Sequence, residues 1–318
     1  MPLDRLVFAN FDPDTLPDDI WDRARRCAND LVLISADSDE YRSVVTSADG
    51  LVLRLGMSAD AGLIDSAPKL RYIGMLGTDY GRIDIDAARR QGIVVTNIAD
   101  YSTASVAEFA LGMALDLFRD FSSERLRASG GDLDETRFVG HELSSLRVGV
   151  VGAGNLGRHV ARILSKGIGA EVSYWSRTRR PAFESECDVT YRPLDELVAT
   201  SDLLSINLAL NEATEGIVSG SMIQSLPEGA GVINTAPNEL LDLGAVLDRC
   251  DAGTLRFASD HGDELPSEVL ARALQMPSVF LYPPIGYATS EAAQRKFEVL
   301  VSNIESYLEG SPKNHVNP

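Results

Sequence analysis

Three glycines, Gly152, Gly154 and Gly157, stand in the spacing G-x-G-x-x-G. They follow the apolar run RVGVV at 147–151 and open the amphipathic stretch NLGRHVARILSK at 155–166. A strand that turns sharply into a helix at such a loop makes an anion site. Gly152 allows the tight turn, Gly154 lets a pyrophosphate approach the backbone, and Gly157 lets the helix pack close to the strand. The helix start at Asn155 and Leu156 then presents unpaired N–H groups and the positive end of the helix dipole. The chemistry this pattern predicts is the holding of a phosphate-bearing dinucleotide.

The next apolar run, EVSYW at 171–175, ends where a domain selective for an unphosphorylated ribose places an Asp or Glu. No acid stands there. The chain reads Ser176, Arg177, Thr178, Arg179, Arg180 instead, a set of hydroxyls and guanidinium forks suited to a 2′-phosphate. The expected cofactor is NADP(H), with NAD(H) as the alternative. The plainer account, a solvated basic loop in an acidic chain, does not explain the missing acid.

The elements that must position these residues follow from the hydrophobic rhythm. Short apolar runs (RLVFANF, LVLISA, GLVLRLG, RYIGMLG and GIVVTNIA) alternate with helix-length stretches over the first hundred residues, which reads as parallel β/α units. From Ser102 the segment STASVAEFALGMALDLFRDF predicts one long helix, followed by a polar loop near 129–134. The rhythm then restarts with RVGVV and continues through DLLSINLAL, GAGVINTA, LRFASD and SVFLYPP. A last helical segment, EAAQRKFEVLVSNIESYLEG, has no strand after it and is free to pack on the first domain. The expected fold class is α/β, with two Rossmann-like or flavodoxin-like domains. A dinucleotide-binding domain at 101–290 is inserted into a discontinuous substrate domain at 1–100 and 291–318.

Composition bounds the function. The 318 residues carry 47 acids against 29 bases, a net charge of −18 that repels nucleic acid and anionic membranes within a Debye length of about 10 Å. The expected partner is a small molecule, with neither nucleic acid nor membrane. No run of about 18 apolar residues predicts a spanning helix. The first residues lack a basic-then-apolar leader pattern, so a cytoplasmic location is expected. Cys27, Cys187 and Cys250 are too scattered for a zinc site or a disulfide framework, and no metal is expected.

These motifs, together with GTDYGRIDIDAARRQGIVVTNIADYSTASVAEFALG and GVINTAPNELLD, make the chain resemble the D-isomer-specific 2-hydroxyacid dehydrogenase family over almost its whole length. The resemblance implies a homodimer, hydride transfer between a nicotinamide and a 2-oxo acid, and a catalytic Arg, Glu and His. It also adds Thr235, in the I-N-T-A motif, and Asp260, beside the nicotinamide amide, to the cofactor residues. At the three catalytic positions this chain departs. Pro237 stands where the carboxylate-binding Arg belongs, Leu265 where the Glu belongs, and Pro284 where the general-acid His belongs. Glu264 is one residue out of place. The family's H-x-P motif is Asn207, Leu208, Ala209 here, and its substrate loop carries a new arginine, Arg82.

A positioned acid or base is worth about 10² to 10⁴-fold in rate, and proline has no side-chain proton to exchange. The expectation is therefore an NADP(H)-dependent oxidoreductase with a non-standard active site, reducing an imine, an activated alkene or an unusual carbonyl. An iminium arrives already protonated and charged, so it needs neither the acid nor the clamp. The same losses leave two other readings open: a non-catalytic NADP(H)-binding sensor or assembly protein, and non-redox chemistry such as cyclisation. Candidates for a replacement chemical group are Tyr80, Arg82 and Tyr282, with Tyr287 and Arg54 behind them. His261 alternates in direction with Asp260 on a strand and is expected to point away from the nicotinamide.

Overall fold

In the computed structural model, which describes residues 1–318 with the side chain of Arg137 excepted, the backbone divides into two compact units. One comprises Met1–Ser102 and Ser290–Pro318, the other Thr103–Thr289. The chain is thus an α/β protein with one domain inserted into another.

The first unit is built on five parallel strands: β1 (Leu3–Ala9), β2 (Ala28–Ile34), β3 (Gly50–Arg54), β4 (Tyr72–Leu76) and β5 (Val94–Thr96). Their order is β2-β1-β3-β4-β5, the flavodoxin-like winding. Because successive side chains point to opposite faces, Val7, Leu51, Leu53 and Ile73 pack on one side of the sheet, and Leu6, Phe8, Val52 and Tyr72 on the other. The second face is covered by Trp21 and by Leu300, Val301 and Ile304 of the C-terminal helix Ser290–Leu308, all buried. Each such side chain contributes roughly 1.5–3 kcal/mol. At the opposite end of the strands, buried Asp49 accepts the backbone N–H groups of Asp4 and Arg5 at 2.9 and 2.8 Å and the Arg71 guanidinium at 2.7 Å. That carboxylate ties the starts of β1, β3 and β4 together.

The second unit carries seven parallel strands: β6 (Arg147–Val151), β7 (Glu171–Trp175), β8 (Thr190–Tyr191), β9 (Leu203–Ile206), β10 (Ala230–Asn234), β11 (Leu255–Ser259) and β12 (Val279–Leu281). The order β12-β11-β10-β9-β6-β7-β8 is the doubly wound Rossmann arrangement, which reverses direction between β6 and β9. Strands β9 and β10 are buried along their whole length, as continuous apolar runs covered on both faces should be.

The single long helix expected from Ser102 is two helices. Thr103–Arg119 ends at Asp120, which takes a left-handed conformation at φ 52°, and Phe121–Ser129 follows. The cause is local: buried Asp116 accepts the backbone N–H of Ser122 at 2.8 Å as well as its hydroxyl, which turns the chain back. Among the described residues no helix is long and apolar enough to cross a membrane, and no cluster of three His, Cys, Asp or Glu is placed to hold a metal.

Candidate functional site

The glycine loop lies at the point where the larger sheet reverses, between the carboxyl ends of β6 and β9. Gly152 takes φ +100° and donates its N–H to the Trp175 carbonyl at 2.8 Å. A methyl group on it would lie 2.5 Å from the carbonyl oxygen of Asn207, just beyond β9. Gly157, on the helix Asn155–Arg162, sits tighter still: a methyl there would lie 1.8 Å from the Gly152 oxygen. Gly154 is different. It precedes the helix in an extended conformation, and a methyl there would meet no atom within 4 Å. Two glycines are thus demanded by the fold, and the third leaves open ground before the N–H groups of Asn155 and Leu156. Arg158, outside the motif, reaches back to Asn155 Oδ1 at 2.6 Å.

A cavity of about 470 Å³ extends from Ala153 and Gly154 to the end of β7, where Trp175, Ser176, Arg177, Thr178 and Arg180 form one wall. Leu208, Ala209 and Thr214 form the other, and none of the lining residues is acidic. Buried Ser176 donates its hydroxyl to the Thr178 carbonyl at 2.7 Å, which curls the loop over the cavity. Of the three arginines, Arg179 turns away, forming a two-pronged contact with Glu184 at 2.8 and 2.7 Å. That contact holds the Glu184 carboxyl below the usual carboxylate range. Among the described residues, Arg177 and Arg180 form no ion pair. The wall beyond β9 begins at Leu208 and Ala209, where the sequence departs from the H-x-P motif, while Thr214 is placed only by the fold.

Farther along the same sheet edge, Asn207, Thr235 and Asp260 follow β9, β10 and β11. The Asn207 amide nitrogen donates to the Ser205 carbonyl and hydroxyl at 3.1 and 2.9 Å. Its Oδ1, like the Thr235 Oγ1, is buried without a partner among the described residues. A buried polar atom left unpaired costs about 1–3 kcal/mol, so each has an unmet hydrogen bond at this edge of the sheet. Asp260 is buried and lies 2.7 Å from the Nδ1 of His261. The alternation with Asp260 on which the expectation for His261 was built does not hold. Strand β11 stops at Ser259, so side-chain alternation no longer governs the next two residues. The hydrogen bond from Asp260 raises the imidazole pKa above its ordinary value, against the opposing effect of burial.

Pro237 and Leu265 flank short helical turns after β10 and β11, and Pro284 lies in the loop after β12. Leu265 is buried while neighbouring Glu264 is exposed, so the backbone turns the carboxylate outward. Tyr282 donates its hydroxyl to Asp116 at 2.5 Å; burial and that carboxylate raise its pKa, and its proton is committed to the helix contact. Tyr287 is exposed. Tyr80 and Arg82 lie in the loop after β4 of the first unit, where Tyr80 packs on the core and Arg82 donates to the Gly56 carbonyl at 2.8 Å.

The glycine loop, the reversal of the sheet and the orphaned polar atoms together describe a dinucleotide fold, and comparison with known proteins gives its lineage. Residues 111–286 match the model of the D-isomer specific 2-hydroxyacid dehydrogenase, NAD binding domain. The chain belongs to that family of nicotinamide-dependent oxidoreductases. It is 27% identical to the glyoxylate reductase of Thermococcus gammatolerans over 94% of this chain and 89% of the relative. Its backbone matches the NAD complex of a D-isomer specific 2-hydroxyacid dehydrogenase from Lactobacillus delbrueckii ssp. bulgaricus, with a TM-score of 0.83 at 22% identity over 98% of this chain and 100% of the other. A TM-score of 0.83 at 21% identity, over the same shares, relates it to an acyclic imino acid reductase in complex with NADPH and D-Arg. At such identities the structural likeness shows the fold alone.

Proposed function

We propose that this chain is an NADP(H)-dependent reductase whose substrate is an imine, an activated alkene or an unusual carbonyl rather than a simple 2-oxo acid. The observation that carries the cofactor choice is the cavity beside Gly154, which holds two arginines without ion pairs and no acidic residue. Gly154, Asn155 and Leu156 would meet the pyrophosphate, with Gly152 and Gly157 shaping the loop. Ser176, Arg177 and Thr178 would meet the 2′-phosphate. Thr235 and Asn207 would satisfy their orphaned oxygens on the nicotinamide half, near Asp260.

When bound, the reduced nicotinamide supplies a hydride. The chain's own contribution is binding, orientation and exclusion of water along the sheet edge. At Pro237, Leu265 and Pro284 it offers neither a carboxylate clamp nor a proton donor, which favours an electrophile that brings its own charge or proton. Glyoxylate, the substrate in the name of a relative, is the natural comparison.

Two measurements test the proposal. Arg177→Ala should weaken NADPH binding about 10- to 100-fold, the value of a charge-assisted hydrogen bond, and leave NADH unchanged. Arg179→Ala, held by Glu184, should change neither. With saturating NADPH, turnover of glyoxylate, pyruvate or hydroxypyruvate should fall far below that of a cyclic imine. Equal loss of both dinucleotides in Arg177→Ala, or ordinary enzymatic rates on those 2-oxo acids, contradicts it.

A further inference from the structure

Pro284 has no proton to give, yet the loop that carries it lies against a carboxylate. A methyl group on Gly286, two residues further on, would come within 2.7 Å of Asp260 Oδ2. Asp260 is buried just past the end of β11, and its other oxygen, Oδ1, lies 2.7 Å from His261 Nδ1. All of these residues belong to the larger unit. Strands β10 and β11 pair at Asn234 and Ser259, so Thr235 and Asp260 come next, side by side at the carboxyl edge where open parallel sheets gather ligands. The orphaned Thr235 hydroxyl therefore neighbours the Asp260–His261 pair.

His261 is held at every atom but one. Its backbone N–H donates to the Ser259 hydroxyl at 3.1 Å, and its carbonyl accepts the Asn238 amide at 2.9 Å. With Nδ1 on the carboxylate, Nε2 occupies the opposite edge of the ring, unpartnered among the described residues, and 23% of the side chain is exposed. An imidazole oriented at one nitrogen by a buried carboxylate and open at the other is built to exchange a proton. The charges around it favour the protonated ring. Hydrogen bonding to Asp260 raises its pKa against the effect of burial, and Glu264 and Asp263 add to the rise. The turn after β10 presents the neutral Asn238, and the loop 283–288 contains no charged residue.

We propose that His261, oriented by Asp260, is the proton donor to the substrate, an imine whose nitrogen need not arrive protonated. This rests on the reductase reading and narrows it to one of its three electrophiles. The imine nitrogen takes the Nε2 proton on its lone pair, the carbon takes the hydride, and the C=N π pair settles on nitrogen. The imine is reduced to an amine, the nicotinamide is left oxidised, and the neutral imidazole regains its proton from water. Asp260 stays ionised throughout. The proton that Pro284 cannot supply thus comes from the end of β11.

Proton NMR titration of the four histidines, with His261 assigned by its loss in His261→Gln, gives a readout independent of turnover. The His261 midpoint should lie above the ordinary histidine value and fall in Asp260→Asn. With NADPH and 1-pyrroline as the probe, kcat should decline as pH rises through that midpoint. In Asp260→Asn the decline should move down with the NMR midpoint, which titration of the imine itself would not do. His261→Gln should lower kcat at least about 100-fold and leave NADPH affinity within about twofold. A midpoint unmoved in Asp260→Asn, or a His261→Gln protein with the parent's kcat and pH profile, overturns the proposal. Binding of NADPH without turnover of 1-pyrroline by the parent removes the proton donor and leaves the cofactor reading standing; failure to bind NADPH removes both.

Discussion

Replacing Gly157 by alanine places a methyl group 1.8 Å from the Gly152 carbonyl oxygen and 2.9 Å from its carbon. Both are backbone atoms, and Gly152 is fixed by its positive φ and its 2.8 Å bond to Trp175. The contact has to open by more than an ångström, so the helix Asn155–Arg162 must back away from β6. Overpacking of this kind costs about 1–3 kcal/mol. In a unit of this size each kcal/mol moves the melting temperature by about 2–4 °C, giving an expected fall of roughly 2–12 °C. The retreating helix also carries away the N–H groups that would hold the pyrophosphate, and NADPH affinity should drop about tenfold or more. Gly154→Ala is the internal control. Its φ of −72° suits alanine and its surroundings are empty, so the melting temperature should hold or rise slightly. NADPH affinity should nevertheless fall, because the methyl occupies the ligand's ground. Calorimetric melts with dinucleotide titrations on both variants decide it. A Gly157→Ala protein that melts and binds like the parent, or a Gly154→Ala protein with undiminished affinity, refutes the reasoning.

Two further outcomes follow from buried polar groups. Burial raises the Asp49 pKa, but the amides of Asp4 and Arg5 and the Arg71 guanidinium outweigh it, so the folded pKa lies below the ordinary value. That stabilisation is present above the unfolded pKa of about 3.9 and lost as pH falls through the lower, folded one. Asp49→Asn should thus cost about 1–3 kcal/mol in urea melts at pH 7, and progressively less as the pH is taken below the unfolded pKa. Tyr282→Phe removes the hydroxyl that Asp116 accepts and should cost about 1–2 kcal/mol with no change in NADPH affinity, since the tyrosine is bound to a helix and not to the cofactor cavity.

The readable parts of this chain were those whose cause is local. The strands of both sheets announce themselves as apolar runs, apart from the two-residue β8, too short to show a pattern. The glycines were legible because a sharp turn, an open approach and a close packing each exclude a side chain. What depends on a distant partner was not. Arg179 looked equivalent to Arg177 until the following helix brought Glu184 to it. Strand alternation was carried past the end of β11 at His261, and the break at Asp120, though its cause is local, was hidden by an apolar stripe that runs on through it: Asp116 accepts the Ser122 N–H. The orphaned oxygens of Asn207 and Thr235 have no signature in sequence; they emerge only when every buried group is asked for its partner.

The central claim is that the loop after β7 holds a 2′-phosphate. Trp175 lines that cavity while the other tryptophan, Trp21, is buried in the smaller unit, so tryptophan quenching reports on the site itself. In parallel titrations of the unmodified protein with NADPH and NADH at low salt, the account predicts that NADPH binds at least tenfold more tightly. Equal affinities, a preference for NADH, or no quenching by either would contradict it.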